Sequence, residues 1–283
     1  MLMEERISFS EERGLMFQRL TLNQRIQHFV NFLTFTTCVI TGLPIKYHGA
    51  ALSAKVVSLF GGFDTMFYTH VVSGILMLLA FSYHFVYLAA YAYLNEPSFA
   101  ILPKWKDAVE IVQTIKYNLG LTDEHPEYGR YCYKEKMEYL ALIWGTVVMG
   151  LSGLMMYFPQ ITVKFVPRWV IEAFRAAHSG EAVLAALAIV VWHMYNAHLS
   201  PDFFPMNKTW ITGKVSKTQM EHEHPEELRE IMDEIDYKEE LKTDVEDSKS
   251  FKFANSRGLI GVEIALYAVF LVWLLKTFVP LGF

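Results

Sequence analysis

His178–His198 reads HSGEAVLAALAIVVWHMYNAH. Between His178 and His193 the one charged residue is Glu181. A run this apolar is either the centre of a large soluble core or a helix in lipid, and composition decides between them. The chain of 283 residues is 53% hydrophobic and 15% aromatic but only 19% charged, and long apolar runs are the ordinary cause of such a balance. A helix that crosses a bilayer needs about 20 apolar residues, and ionisable groups at membrane depth are rare and usually functional. The three imidazoles of this stretch therefore call for a chemical reason.

Five segments are long and apolar enough to span: Ile26–Pro44, Thr69–Leu94, Tyr139–Phe158, His178–Leu199 and Leu259–Val279. The shorter stretch Ala50–Phe63 carries Lys55 and the Gly61-Gly62 break, and reads as an interfacial helix. The organisation expected is a polar segment 1–24, a four-helix region 25–199, a polar segment 200–257 with an acidic helix after Pro225, and a fifth span in 258–283. Charged residues fill the first segment, so no cleavable signal is expected there. Lys and Arg number 4, 6 and 9 in the segments on the N-terminal side and 2, 3 and 1 on the other, 19 against 6. The positive-inside rule then puts the N-terminus in the cytoplasm and the C-terminus outside. The net charge of −5 argues against nucleic-acid binding. The two cysteines, Cys38 and Cys132, form no CxxC pair, zinc framework or c-type haem attachment site.

The second span has His70 and His84, 14 residues apart, and the fourth has His178 and His193, 15 apart. At about 100° and 1.5 Å per residue each pair shares a broad face, separated by about 21 Å along the axis. These two spans run parallel, so His70 and His178 share one level. His84 and His193 share the other, which His28 joins from the start of the first span. His198, about 140° round an ideal helix from His193, should face elsewhere. Two imidazoles on facing helices at one depth can supply both axial ligands of a low-spin haem iron, and small residues nearby (Gly74, Gly145, Gly150, Gly153, Gly180) would admit its edge. Zinc would want its ligands clustered. A metal or proton transporter without haem would favour membrane-embedded carboxylates, of which Glu181 and Glu263 are the examples.

The motifs RIQHFVNFLTFTTCVITGLP at 25–44, YGRYCYKEKMEYLALIWGTVVMGLSGLMMYFP at 128–159, HMYNAH at 193–198, ITGKVS at 211–216 and EHEHPEEL at 221–228 resemble the cytochrome b (gamma) subunits of respiratory formate dehydrogenases. The related b-type cytochromes of hydrogenases and thiosulfate reductases share the likeness, which covers residues 17–230. It implies an all-α integral membrane protein: a four-helix bundle holding two haems b, here followed by an extra fifth span. By the resemblance His70 and His178 hold one haem, and His28 and His193 the other; spacing alone would pair His84 with His193. His84 and His198 are additional to the formate dehydrogenase pattern. They are candidates for a third haem, a propionate contact or a quinone pocket, and HLSPDFFPMN at 198–207 is closer to the thiosulfate reductase and multihaem-associated relatives.

In that family a KYNAGQK-like element before the third span contributes to a cytoplasmic quinone site. The matching residues are Arg130 to Lys136, with Cys132 for the asparagine and Glu135 for the glutamine. Glu135, Lys134 and the ring of His193 are the candidate quinone-facing groups, with menaquinone or ubiquinone as substrate. The expected role is an electron-transfer subunit of an oxidoreductase complex in a bacterial or archaeal cytoplasmic membrane, not a stand-alone enzyme. Its expected partners are an iron–sulfur or multihaem cytochrome subunit and a catalytic subunit. His48, His125, His222 and His224 read as solvated loop residues.

Overall fold

The computed structural model describes residues 7–10, 14–94, 98–200 and 204–241. The fifth candidate span with Glu263, and residues 242–257 of the polar segment, lie outside them. The helices are α1 (Leu22–Lys46), α2 (Ala51–Leu59), α3 (Phe63–Leu94), α4 (Trp105–Asn118), α5 (Tyr133–Tyr157), the single turn α6 (Pro159–Thr162) and α7 (Arg168–Leu187). Two π-helical segments, Ala188–His193 and Tyr195–Leu199, prolong α7, and α8 (Thr209–Thr212), α9 (Lys217–Glu223) and α10 (Pro225–Leu241) come after them. Four of these are long and apolar enough to cross a membrane: α1, α3, α5 and α7 with its prolongation. Each of the four begins ahead of its predicted start; for α1 and α5 the added residues, LNQR and YKEKME, are mostly polar. His178 thus lies well inside its helix, ten residues beyond Arg168. The acidic helix expected after Pro225 is α10.

Two compact units divide the chain. The larger holds residues 26–88 and 143–207, hence most of the four apolar helices. These helices turn their polar side chains inward. Thr34, Thr41, Ser73, Thr146 and Ser152 are buried while Phe29, Phe32, Leu33 and Ile40 are about half exposed. Hydroxyls can lie inside at low cost because they bond their own helix. Thr34 donates to the Val30 carbonyl at 2.8 Å, Thr37 to Leu33 at 2.8 Å and Thr41 to Thr37 at 2.6 Å. Three threonines of the first span are therefore satisfied without leaving it. Small residues bring the backbones together: a Cβ on Gly150 would lie 2.3 Å from Leu78 Cδ2, so α5 and α3 meet there with no room for a side chain. Close contacts tie residue 41 to 70, 27 to 84, 46 to 179 and 152 to 178. These pairings run α1 antiparallel to α3 and to α7.

The second unit gathers residues 1–25, 89–142 and 208–256. It contains the element that hydropathy does not reveal, a three-stranded antiparallel sheet of β1 (Ile7–Ser10), β2 (Gly14–Gln18) and β3 (Lys214–Ser216) in the order β1-β2-β3. Phe17 and Val215, paired across β2 and β3, pack with Met220, Leu228 and Ile231 into a small core. Gly213 closes the sheet at φ 75°, accepting from Arg19 N–H and Leu20 N–H, and a Cβ there would lie 2.5 Å from the Leu20 carbonyl oxygen. Only glycine fits that backbone.

Buried charge holds the unit together. Glu227, 4% exposed, bridges two guanidiniums: Arg19 binds one carboxylate oxygen and Arg130 donates to the other at 2.6 Å. Each arginine also donates to the other's carbonyl, at 2.9 and 2.7 Å. His224, expected to be solvated, is buried. Its Nδ1 faces the Gly129 carbonyl at 2.7 Å, so that nitrogen carries the proton, and Nε2 accepts from Arg19 at 3.1 Å. Exposed His222 keeps the solvated reading. Burial and the Arg19 charge push the His224 imidazole below its ordinary pKa.

Removing Glu227 strands the nearly buried Arg19 guanidinium and the partly exposed Arg130, a loss worth about 3 kcal/mol. Glu227→Ala should accordingly expose this unit to limited proteolysis while the four apolar helices stay protected in detergent. The unfolded chain binds the His224 proton more tightly than the folded one, so stability is full above the ordinary histidine pKa of about 6.5 and declines as pH falls through it toward the depressed value. The proteolytic resistance of the unit should decline over that window, and His224→Asn should flatten the dependence.

Candidate functional site

Within the larger unit four imidazoles form two facing pairs. The His70 and His178 ring centroids are 6.3 Å apart with planes at 71°, and those of His28 and His193 are 6.4 Å apart at 38°. At the first pair the protonation of each ring is fixed from behind. The Thr41 hydroxyl spends its proton on the Thr37 carbonyl, so its lone pair accepts from His70 Nδ1 at 3.0 Å. His178 Nδ1 lies 3.1 Å from the Met149 carbonyl, which can only accept, and 3.0 Å from Ser152 Oγ. Both rings therefore hold their hydrogen on Nδ1 and keep the Nε2 lone pair for a metal, the arrangement by which outer groups orient ligating histidines. Glycines shape the backing: a Cβ on Gly42 would lie 2.9 Å from His70 Cε1, and one on Gly153 3.2 Å from His178 Cε1. A Cβ on Gly74 or Gly180 would meet nothing within 4 Å, and one on Gly145 would lie 3.4 Å from Glu181 Oε1.

The second pair joins the start of α1 to the π-helical end of the fourth span. An i→i+5 turn advances less than 100° per residue. The uniform 100° step behind the expected placement of His198 does not hold here, because Ala188–His193 and Tyr195–Leu199 are π-helical, and His198 interacts electrostatically with both His28 and His193. Its Nδ1 is buried without a hydrogen-bond partner among the described residues. His84, which spacing alone would pair with His193, reaches the first of the apolar helices. Its Nδ1 donates at 2.9 Å to Gln27, the neighbour of His28. The structure thus brings four of the six candidate histidines into two close ring pairs, with His198 in electrostatic contact with the second and His84 bonded to Gln27.

This donor set fits a six-coordinate porphyrin iron. Imidazole nitrogens bind transition metals at about 2.0 Å, so two rings trans across one metal have centroids about 6.3 Å apart. Both observed separations match that span. Among the described residues no three His, Cys, Asp or Glu side chains converge as a cluster able to hold a metal ion.

In the smaller unit the stretch before the third span is engaged in local structure. Glu135 accepts from the Cys132 N–H at 2.8 Å, capping α5. Burial pushes the Cys132 thiol up to about 12, so it stays protonated. Lys136, the last residue of the matched element, is buried against Asp107 at 2.6 Å. Sequence reasoning missed Thr41, Gly42, Gln27 and Ser152, which act on histidines from neighbouring helices. The one signal it offered was the run of small residues Thr41-Gly42 inside an apolar helix.

A protein whose apolar helices face paired histidines at two levels is a membrane cytochrome b in outline. Residues 19–203, about two thirds of the chain, match the prokaryotic cytochrome b561 family, and the chain belongs to it. It is accordingly a haem b-binding electron-transfer protein and a prokaryotic multi-pass membrane protein. No curated protein matches the sequence.

Two substitutions check the backing of the first pair. Gly42→Val drives a side chain into the His70 ring and should abolish one haem band in the reduced-minus-oxidised spectrum. Thr41→Val removes only the acceptor behind Nδ1, and should weaken haem retention at that level by about 10–100-fold while the other level keeps its band.

Proposed function

We propose that this chain is the dihaem cytochrome b subunit of a membrane oxidoreductase complex of the formate dehydrogenase, hydrogenase and thiosulfate reductase kind. It links an outer redox partner to the quinone pool. The observation that carries this reading is the pair of facing imidazole sets, 6.3 and 6.4 Å between centroids. His70 with His178, and His28 with His193, are the axial ligands, supported by a four-helix bundle to which residues 258–283 add a fifth span. His84 and His198 line the second level and are the candidates for a third haem. When bound, haem b supplies a one-electron couple at each level, and the protein supplies ligands, orientation and a low dielectric.

The 19-to-6 bias of Lys and Arg supports a cytoplasmic N-terminus, with the His28–His193 level on that side. Quinone, menaquinone or ubiquinone, reacts there. Glu135 and Lys134 are the groups that would hold or move its proton, and the ring of His193 is a further candidate quinone-facing group. An iron–sulfur or multihaem cytochrome subunit and a catalytic subunit complete the complex on the outer side.

The test is spectroscopic. Pyridine haemochrome of the purified chain should count two haems, His70→Ala and His178→Ala should lose the same one, and His84→Ala should lose neither. Loss of the second haem with His84→Ala would overturn the pairing of His28 with His193. Glu135→Gln keeps an acceptor for the Cys132 N–H, so the haem spectrum should be unchanged while haem reduction by decylubiquinol slows by about 10²-fold.

A further inference from the structure

α4 is built inside out. Its buried residues are the polar Asp107, Glu110 and Thr114. Its outward residues are Trp105, 84% exposed, with Val109, Val112 and Ile115 each more than half exposed, and the chain continues into Leu119 and Leu121 at 68% and 71%. Trp105, Val109 and Val112 lie within about 60° of one another round the helix, so they form one stripe. With Lys116 and Leu121 they line a shallow groove of about 610 Å³.

The helix cannot roll to hide this stripe. Asp107 accepts from Lys136 Nζ at 2.6 Å and from the Lys104 N–H, and Thr114 meets the Tyr128 hydroxyl at 3.0 Å. Turning α4 would pull a buried ion pair apart and set an apolar face against charge.

We infer that α4 lies flat in the interface of a bilayer containing anionic lipid, with the Trp105–Val109–Val112 stripe among the acyl chains. Three observations choose lipid over a protein partner. First, the chain enters and leaves membrane-spanning helices on either side: α3 ends at Leu94 and α5 begins at Tyr133. The eleven residues from Leu94 to Trp105 reach at most roughly 40 Å. Second, Trp105 and Tyr117 stand at the two ends of the helix with exposed Lys104 and Lys106 beside the stripe, the composition of a helix at a headgroup boundary. Lys106 reaches Glu226 as well. Third, Lys116 falls within the stripe itself. Protein–protein interface cores are depleted in lysine, whereas a lysine stem can lie on acyl chains and lift its ammonium to the headgroups. The inference needs only a membrane protein and stands independently of the ligand and quinone assignments.

A photoreactive benzoyl-phenylalanine placed at Val112 or at Trp105 of the full-length, haem-loaded protein decides the matter. In vesicles of phosphatidylethanolamine and phosphatidylglycerol, irradiation should yield acyl-chain adducts on the peptide containing residue 112 or 105, while the same probe at exposed His222 should give none. A Val109→Asp, Val112→Asp double variant should cut adducts at position 105 by about fivefold or more with the visible spectrum unchanged. Should that variant misfold, the single-probe result on the otherwise native chain still decides. Absence of lipid adducts at both positions, or adducts to another polypeptide in native membranes, would overturn the inference.

Discussion

A polar group carried into lipid must find its partner inside the protein, because no water is there to take its place. That constraint explains the larger unit. Threonine and serine hydroxyls bond backward to their own helices, phenylalanine and leucine turn outward, and the imidazoles cannot be left to solvent. His70 and His178 each use Nδ1 on a neighbouring helix, which leaves the Nε2 lone pair of each ring able to bind a metal. The hydroxyls of Thr41 and Ser152 serve both ends of this arrangement, satisfied by a carbonyl within their own helix while contacting the ring of the next.

The smaller unit solves the same problem with charge. Glu227 between Arg19 and Arg130, and Asp107 against Lys136, are buried pairs whose geometry is supplied by segments far apart in sequence. Such pairs are weak evidence for stability but strong constraints on which arrangement can form, since any other would leave a charge unmatched. They tie residues near 19, 107, 130, 136 and 227 into one body. The motifs YGRYCYKEK and EHEHPEEL, which looked like separate loop signatures, each give part of that body.

Much of this was legible in the sequence, and the parts that were not share a physical cause. Hydropathy located α1, α3, α5 and α7, and the spacing of His70 from His84 and His178 from His193 placed the two levels. The first turns of α1 and α5 were missed because they are mostly polar. The three-stranded sheet was missed because its strands are short and two of them are separated by almost 200 residues. The wheel position of His198 does not carry over because helical-wheel arithmetic assumes one turn length, and the fourth span changes turn length there. His224 was read as solvated because its neighbours are acidic. Its burial depends on Arg19 and Gly129, which no local window contains. The contacts of Thr41, Gly42 and Gln27 with histidines pass between helices and leave no periodic trace.

The π-helical stretch has a bearing on how such a chain can vary. A wide turn is in effect an extra residue taken up without lengthening the helix, so it stores a phase offset between the turns on its two sides. Loss of one residue anywhere from 188 to 199 would convert that reserve into rotation. The upstream half, with His178, would keep its neighbours, and the downstream imidazoles would be swung around the axis. Related chains that differ in length by a single residue here would therefore differ in the company His198 keeps, while sharing everything above it.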